Sequence, residues 1–110
     1  AGFSQGGAMT LQAGLRHGER LAGLMVLSSY LPLPDTVATE RSAANADVPI
    51  FMAHGTHDPV VPLSLSAQSL GRLLQMGYPA QWHEYAMEHS VCIEEIREIA
   101  AWLKQVLKLA

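Results

Sequence analysis

The sequence predicts an α/β fold of three parallel strands with flanking helices, on the scale of one domain. Two short, nearly continuous apolar runs, at residues 22–28 and 48–54, have the pattern of strands covered on both faces. Segments with apolar residues at helical spacing precede, separate and follow the strands. Helices alternating with buried strands call for crossover connections in a parallel sheet. At 110 residues the chain is within the usual size of a single domain, so one domain is expected at most.

The elements follow in chain order. Gly2 to Gly7 is glycine-rich and opens into Ala8-Met9-Thr10-Leu11-Gln12-Ala13-Gly14-Leu15, a helix that Gly18 stops. Ala22 to Ser28 is the first strand. Tyr30 to Asp47 carries Pro32, Pro34 and no apolar period, which predicts a long surface loop. Val48 to His54 is the second strand, with Pro49 near its start, where a missing N–H is tolerable. Leu63, Ala67, Leu70 and Leu74 then recur at helical spacing until Gly77 and Pro79 end the helix. Gln81 to Tyr85, with Trp82 and Tyr85, has a strand-like composition and is the third strand. The last helix places Ile93, Ile96, Ala100, Leu103 and Leu107 on one face. Its Glu94, Glu95 and Glu98 come early and its Lys104 and Lys108 late, which complements the helix dipole.

Composition narrows the function. Hydrophobic residues make up 49% and charged residues 15%, the profile of a packed globular protein. A formal net charge of −3 without any Lys or Arg run gives no footprint for nucleic acid or anionic lipid. No apolar stretch approaches the roughly 20 residues that span a bilayer, so no transmembrane segment is expected. The single cysteine, Cys92, cannot form an internal disulfide and fits a reducing, cytoplasmic setting.

Gly2-Phe3-Ser4-Gln5-Gly6 matches G-x-S-x-G, in which small neighbours let the chain turn sharply and lift a serine hydroxyl clear of a sheet. At a helix start, the Gln5 amide can point at an oxyanion, so Gln5 is the candidate oxyanion donor. The motif alone arises by chance in about one chain of this length in thirty. A serine nucleophile also needs a base and an acid, and where a serine elbow opens a helix the chain order is serine, acid, histidine. Asp58 and His89 satisfy that order, and each follows a strand, at the sheet end where open α/β sheets place their ligands. An Asp before Pro is a common turn former and a His before a helix is a common surface residue. It is the joint placement of Ser4, Asp58 and His89 that points to acyl transfer.

GFSQGG, HGTHDPVVP and the terminal HSV segment with its amphipathic helix resemble the acyl-protein thioesterase and carboxylesterase family over nearly the whole chain. The resemblance implies an α/β-hydrolase fold and hydrolysis of carboxylic esters, thioesters or lysophospholipids, with the triad at Ser4, Asp58 and His89. It departs at Glu88, since the family commonly carries Gly immediately before this histidine. The N-terminus lacks an initiator Met and signal-peptide features. Residues 1–110 are therefore expected to be the C-terminal portion of a single α/β-hydrolase domain, starting at the nucleophile elbow and inactive by itself.

The function expected is a serine hydrolase that forms an acyl-enzyme on Ser4, with His89 as general base and Asp58 orienting it. Leu31 and Leu33, after the first strand, are candidates for an acyl-binding wall. The substrate would be a small ester or thioester, an acylated protein or a lysophospholipid, and monomer and homodimer both stay open. One alternative is a catalytically silent relative that binds a small molecule in the same pocket. Another is a metal-dependent hydrolase using His54 and His57, although His-x-x-His alone is thin support, and no cofactor or metal is expected. Cys92 has no base arrangement of its own and reads as a small buried residue.

Overall fold

The structure, a computed structural model, describes residues 1–109. Four strands, β1 (Gly2–Phe3), β2 (Leu24–Leu27), β3 (Ile50–Gly55) and β4 (Ala80–Tyr85), form one parallel sheet in the order β1-β2-β3-β4. Four helices accompany them: α1 (Gln5–Gly14), α2 (Val37–Glu40), α3 (Leu63–Gln75) and α4 (Ile93–Val106). The sheet thus adds β1 to the three strands read from the sequence. Two residues carry no period, so only the pairing of Gly2 with Val26 and Phe3 with Leu27 reveals it. Residues 30–47 are more ordered than a loop, with short 3₁₀ turns at Pro34–Thr36 and Ala43–Asn45 around α2. Val37 and Asn45 are fully buried there. The Asn45 side chain accepts from the Leu21 amide and donates to the His17 and Glu19 carbonyls, so it is satisfied inside the core.

Two apolar layers flank the sheet. On one face, Leu11 and Leu15 with Leu73 and Tyr78 cover Leu24, Val26, Ile50 and Met52. On the other, Trp102 of α4 covers Met25, Phe51 and Ala53, beside Tyr85. Both long helices turn a different face inward from the one their leucine and isoleucine spacing suggests. In α3 the buried residues are Ser66, Ser69 and Leu73, while Leu74 is half exposed. Ser69 explains the rotation: its hydroxyl donates to the Leu65 carbonyl and accepts from the Leu31 amide, and its small size lets the helix lie close. In α4, Ile93, Ile96 and Leu107 are exposed and Trp102 is buried. A tryptophan buries the largest area of any side chain, and Gly23 makes room for it: a Cβ there would lie 2.6 Å from the Trp102 ring.

That rotation also carries Glu95 into the core, where it is fully buried. Burial raises its carboxyl above the usual range; the Cys92 amide pulls the other way and the nearby Glu98 charge adds to the rise. A raised carboxyl contributes stability below its unfolded value of 4.5 that is lost as pH climbs through the folded value. Glu95→Gln is therefore expected to raise the melting temperature at neutral pH, by about 4–8 °C per kcal/mol recovered. The gain should vanish below pH 4.5, and a gain independent of pH in thermal melts would refute this account.

Candidate active site

The site lies at the C-terminal ends of β1, β3 and β4. Between β1 and α1 the chain reverses at Ser4, whose φ of 58° and ψ of −123° are rare for a residue with a side chain. What permits the turn is the absence of two side chains. A Cβ on Gly2 would lie 2.1 Å from the Gly6 carbonyl oxygen, and one on Gly7 would lie 2.6 Å from Ser29 Cβ. Gly6, the motif's second glycine, meets nothing within 4 Å. The elbow is pinned to β2: the Ser4 amide donates to the Leu27 carbonyl at 2.8 Å, and the Ser29 hydroxyl donates to the Ser4 carbonyl at 2.5 Å.

The acid comes from the turn after β3. Asp58 Oδ1 accepts the amides of Val60 and Val61, both at 2.8 Å, and its other oxygen faces His89. Burial of the side chain works against its charge. The hydrogen bonds from His89, Val61 and Val60 outweigh burial and hold the carboxyl below its ordinary 3.8.

The histidine comes from the loop after β4. That loop is tied to the acid's loop by the Thr56 amide on the Tyr85 carbonyl and the His57 amide on the Met87 carbonyl, at 2.9 and 3.1 Å. Gly55 permits the approach, because a Cβ there would lie 2.3 Å from the carbonyl oxygens of both Met87 and Glu88. Glu88 is exposed and its φ is not positive, so this turn accommodates a side chain where the family resemblance implies Gly. His89 Nδ1 lies 2.7 Å from Asp58 Oδ2 and Nε2 lies 2.9 Å from Ser4 Oγ. An ionised carboxylate only accepts, so Nδ1 carries the proton and Nε2 is left with a lone pair for the Ser4 hydroxyl. The Phe3 ring packs against the imidazole, with centroids 4.8 Å apart.

The structure therefore brings Ser4, Asp58 and His89 into one hydrogen-bonded chain. Gln5 stands at the first position of α1, where an amide has no acceptor within its own helix. Leu31 and Leu33 part company. Leu31 is buried and lines a cavity of about 380 Å³ with Pro34, Leu65, Gln68 and Ser69, apart from Ser4, Asp58 and His89. Leu33 is 62% exposed at a φ of 45°. His54 is buried, His57 is exposed, and among the described residues no three His, Cys, Asp or Glu side chains are grouped to hold a metal. Cys92 stands immediately before α4 and is partly exposed rather than buried. The supports that sequence reasoning missed are the Val60 and Val61 amides, Ser29 and Gly55. Asp-Pro-x-x, a turn in which the carboxylate can accept amides two and three residues on, was the available signal for the first.

A parallel sheet with helices on both faces and a serine elbow between strand and helix defines the α/β-hydrolase fold. A family model for phospholipase/carboxylesterase matches residues 1–107. The chain belongs to that family. It is 42% identical over 109 residues to acyl-protein thioesterase 1 of Gibberella zeae and 44% identical over 109 residues to that of Neurospora crassa. Each match covers 96% of this chain and 46% or 44% of the relative, so the chain spans about half the length of the curated relatives it matches. Among solved structures, Arabidopsis thaliana SOBER1 superposes with a TM-score of 0.91 at 31% identity, covering 96% of this chain and 51% of that one. Zea mays acyl-protein thioesterase 2 follows at 0.87 and 27%, covering 96% and 54%. Among the described residues no helix is long and apolar enough to cross a membrane.

Proposed function

We propose that this chain carries the catalytic triad of a serine hydrolase that cleaves carboxylic esters or thioesters through an acyl-enzyme on Ser4. The observation that carries the reading is the hydrogen-bonded order Asp58, His89, Ser4, with the imidazole in the tautomer a general base needs. As Ser4 Oγ attacks the acyl carbonyl, its proton passes to His89 Nε2, and Asp58 stabilises the imidazolium that forms. The Gln5 amide, at the positive end of α1, donates to the developing oxyanion. His89 then returns the proton to the departing alcohol or thiol; a water, deprotonated by His89, attacks the acyl carbon, and His89 hands that proton to Ser4 Oγ as the carboxylic acid leaves. Relatives called acyl-protein thioesterase support an acylated protein as substrate, with a lysophospholipid as the other ester of this kind. The share of its relatives that the chain spans supports reading it as part of one hydrolase domain. The lone thiol of Cys92 supports a reducing compartment such as the cytosol.

The test is covalent. A fluorophosphonate probe should phosphonylate Ser4, located by peptide mass spectrometry in the full chain, and Ser4→Ala should abolish that adduct. Labelling that persists at full extent in Ser4→Ala would overturn the assignment.

A further inference from the structure

His54 is a buried titratable group that the mechanism above leaves unused. It stands one residue before the end of β3, fully buried, with the Trp82 ring nearly parallel to its own at 6.4 Å. Its Nε2 lies 2.7 Å from the Val61 carbonyl oxygen. A carbonyl only accepts, so Nε2 carries a proton. Nδ1 is buried and, among the described residues, has no partner. Burying an unsatisfied nitrogen is costly, and an apolar side chain of similar shape would avoid that cost, so packing alone does not account for a histidine here.

The donor on the other nitrogen does account for it. Val61 is the residue whose amide holds Asp58 Oδ1, and its carbonyl is held in turn by His54. The same Nε2 is 3.5 Å from Asp58 Oδ2, the oxygen aimed at His89. We propose that His54 is a positioning residue for the acid of the triad: its Nε2–H anchors the Val61 carbonyl and so fixes the turn from which Asp58 points at His89. The inference rests on the triad reading given above.

The test compares His54→Met and His54→Gln in the full-length protein, with Ser4→Ala alongside. A glutamine amide nitrogen lies as many bonds from Cα as the imidazole Nε2 and can donate to Val61, whereas methionine matches the length without a donor. His54→Met should lower kcat about ten- to a hundredfold with KM within about twofold, the scale of a misplaced catalytic group. His54→Gln should restore kcat to within a few fold of the parent. Added to Asp58→Asn, His54→Met should lower kcat no further, since the group it positions is already lost. Should the Met variant fail to fold, His54→Asn replaces it, because its shorter amide cannot reach Val61. Equal activity of the Gln variant and its comparison, whether both are impaired or both intact, would overturn the proposal. Turnover that survives Ser4→Ala would instead overturn the triad reading itself.

Discussion

Asp58→Asn is expected to lower kcat by about 10⁴-fold without unfolding the protein, the loss the same change causes in a serine protease triad. The structure says why so small an edit costs so much. Asp58 Oδ1 receives two amides, from Val60 and Val61, and neither can donate to an NH₂ group. An asparagine must therefore turn its oxygen to the amides and its NH₂ to His89. The imidazole would then accept at Nδ1 and carry its proton on Nε2, where it faces Ser4 with a donor instead of a lone pair. Steady-state kinetics on a short-chain aryl ester checks this, and a loss under tenfold would refute it. Thermal melts add an independent reading. A depressed carboxyl contributes stability above its unfolded value of 3.8, which is lost as pH falls through the folded value. In Asp58→Asn the decline of stability below pH 3.8 should be shallower.

Gly55→Ala should lower kcat by about 10²-fold or more, although Gly55 touches no reacting atom. The added methyl would meet two carbonyl oxygens of the β4–α4 loop at 2.3 Å, and these are backbone atoms that move only if the loop moves. The displacement falls on Met87 and Glu88, immediately before His89. Overpacking of this kind also destabilises by about 1–3 kcal/mol. Gly71→Ala is the control, since a Cβ there meets nothing within 4 Å in an exposed stretch of α3, and it should stabilise by about 0.8–1.0 kcal/mol. A Gly55→Ala variant with parental kcat would show that the loop yields without moving the base.

The central strands and the elbow were legible in the sequence for the same reason: each depends on contiguous residues. Continuous apolar runs announce β2 and β3, and G-x-S-x-G announces the elbow because its constraint is steric and local. Residues Asp58 and His89 could be found because hydrolase order restricts the search to strand ends. What a one-dimensional pattern does not carry is the rotation of a helix about its axis. In α3 and α4 the spacing of leucine and isoleucine points one way, while a serine hydroxyl and one tryptophan decide the other. Leu31 and Leu33 separate because residue 33 takes a left-handed conformation, which no leucine advertises. Support from His54, Ser29 and Gly55 was hidden because each acts on backbone atoms distant in sequence. Gly2 and Gly7, by contrast, stand in the glycine-rich run, yet only the structure separates them from Gly6 as the positions where a Cβ would collide.

The bond between His89 and Ser4 joins residues 85 positions apart, from the first strand to the loop beyond the last. Every strand of the sheet lies between or beside them in the order of the chain. Closing a loop of that length yields no contact energy until the intervening parallel pairs have formed, and such pairs are slow to find their register. The three side chains therefore meet only after β2 has docked on both its neighbours and β4 on β3. The contact between His89 and Ser4 is consequently expected to close late in the refolding of this chain, after secondary structure and the burial of Trp102 have recovered.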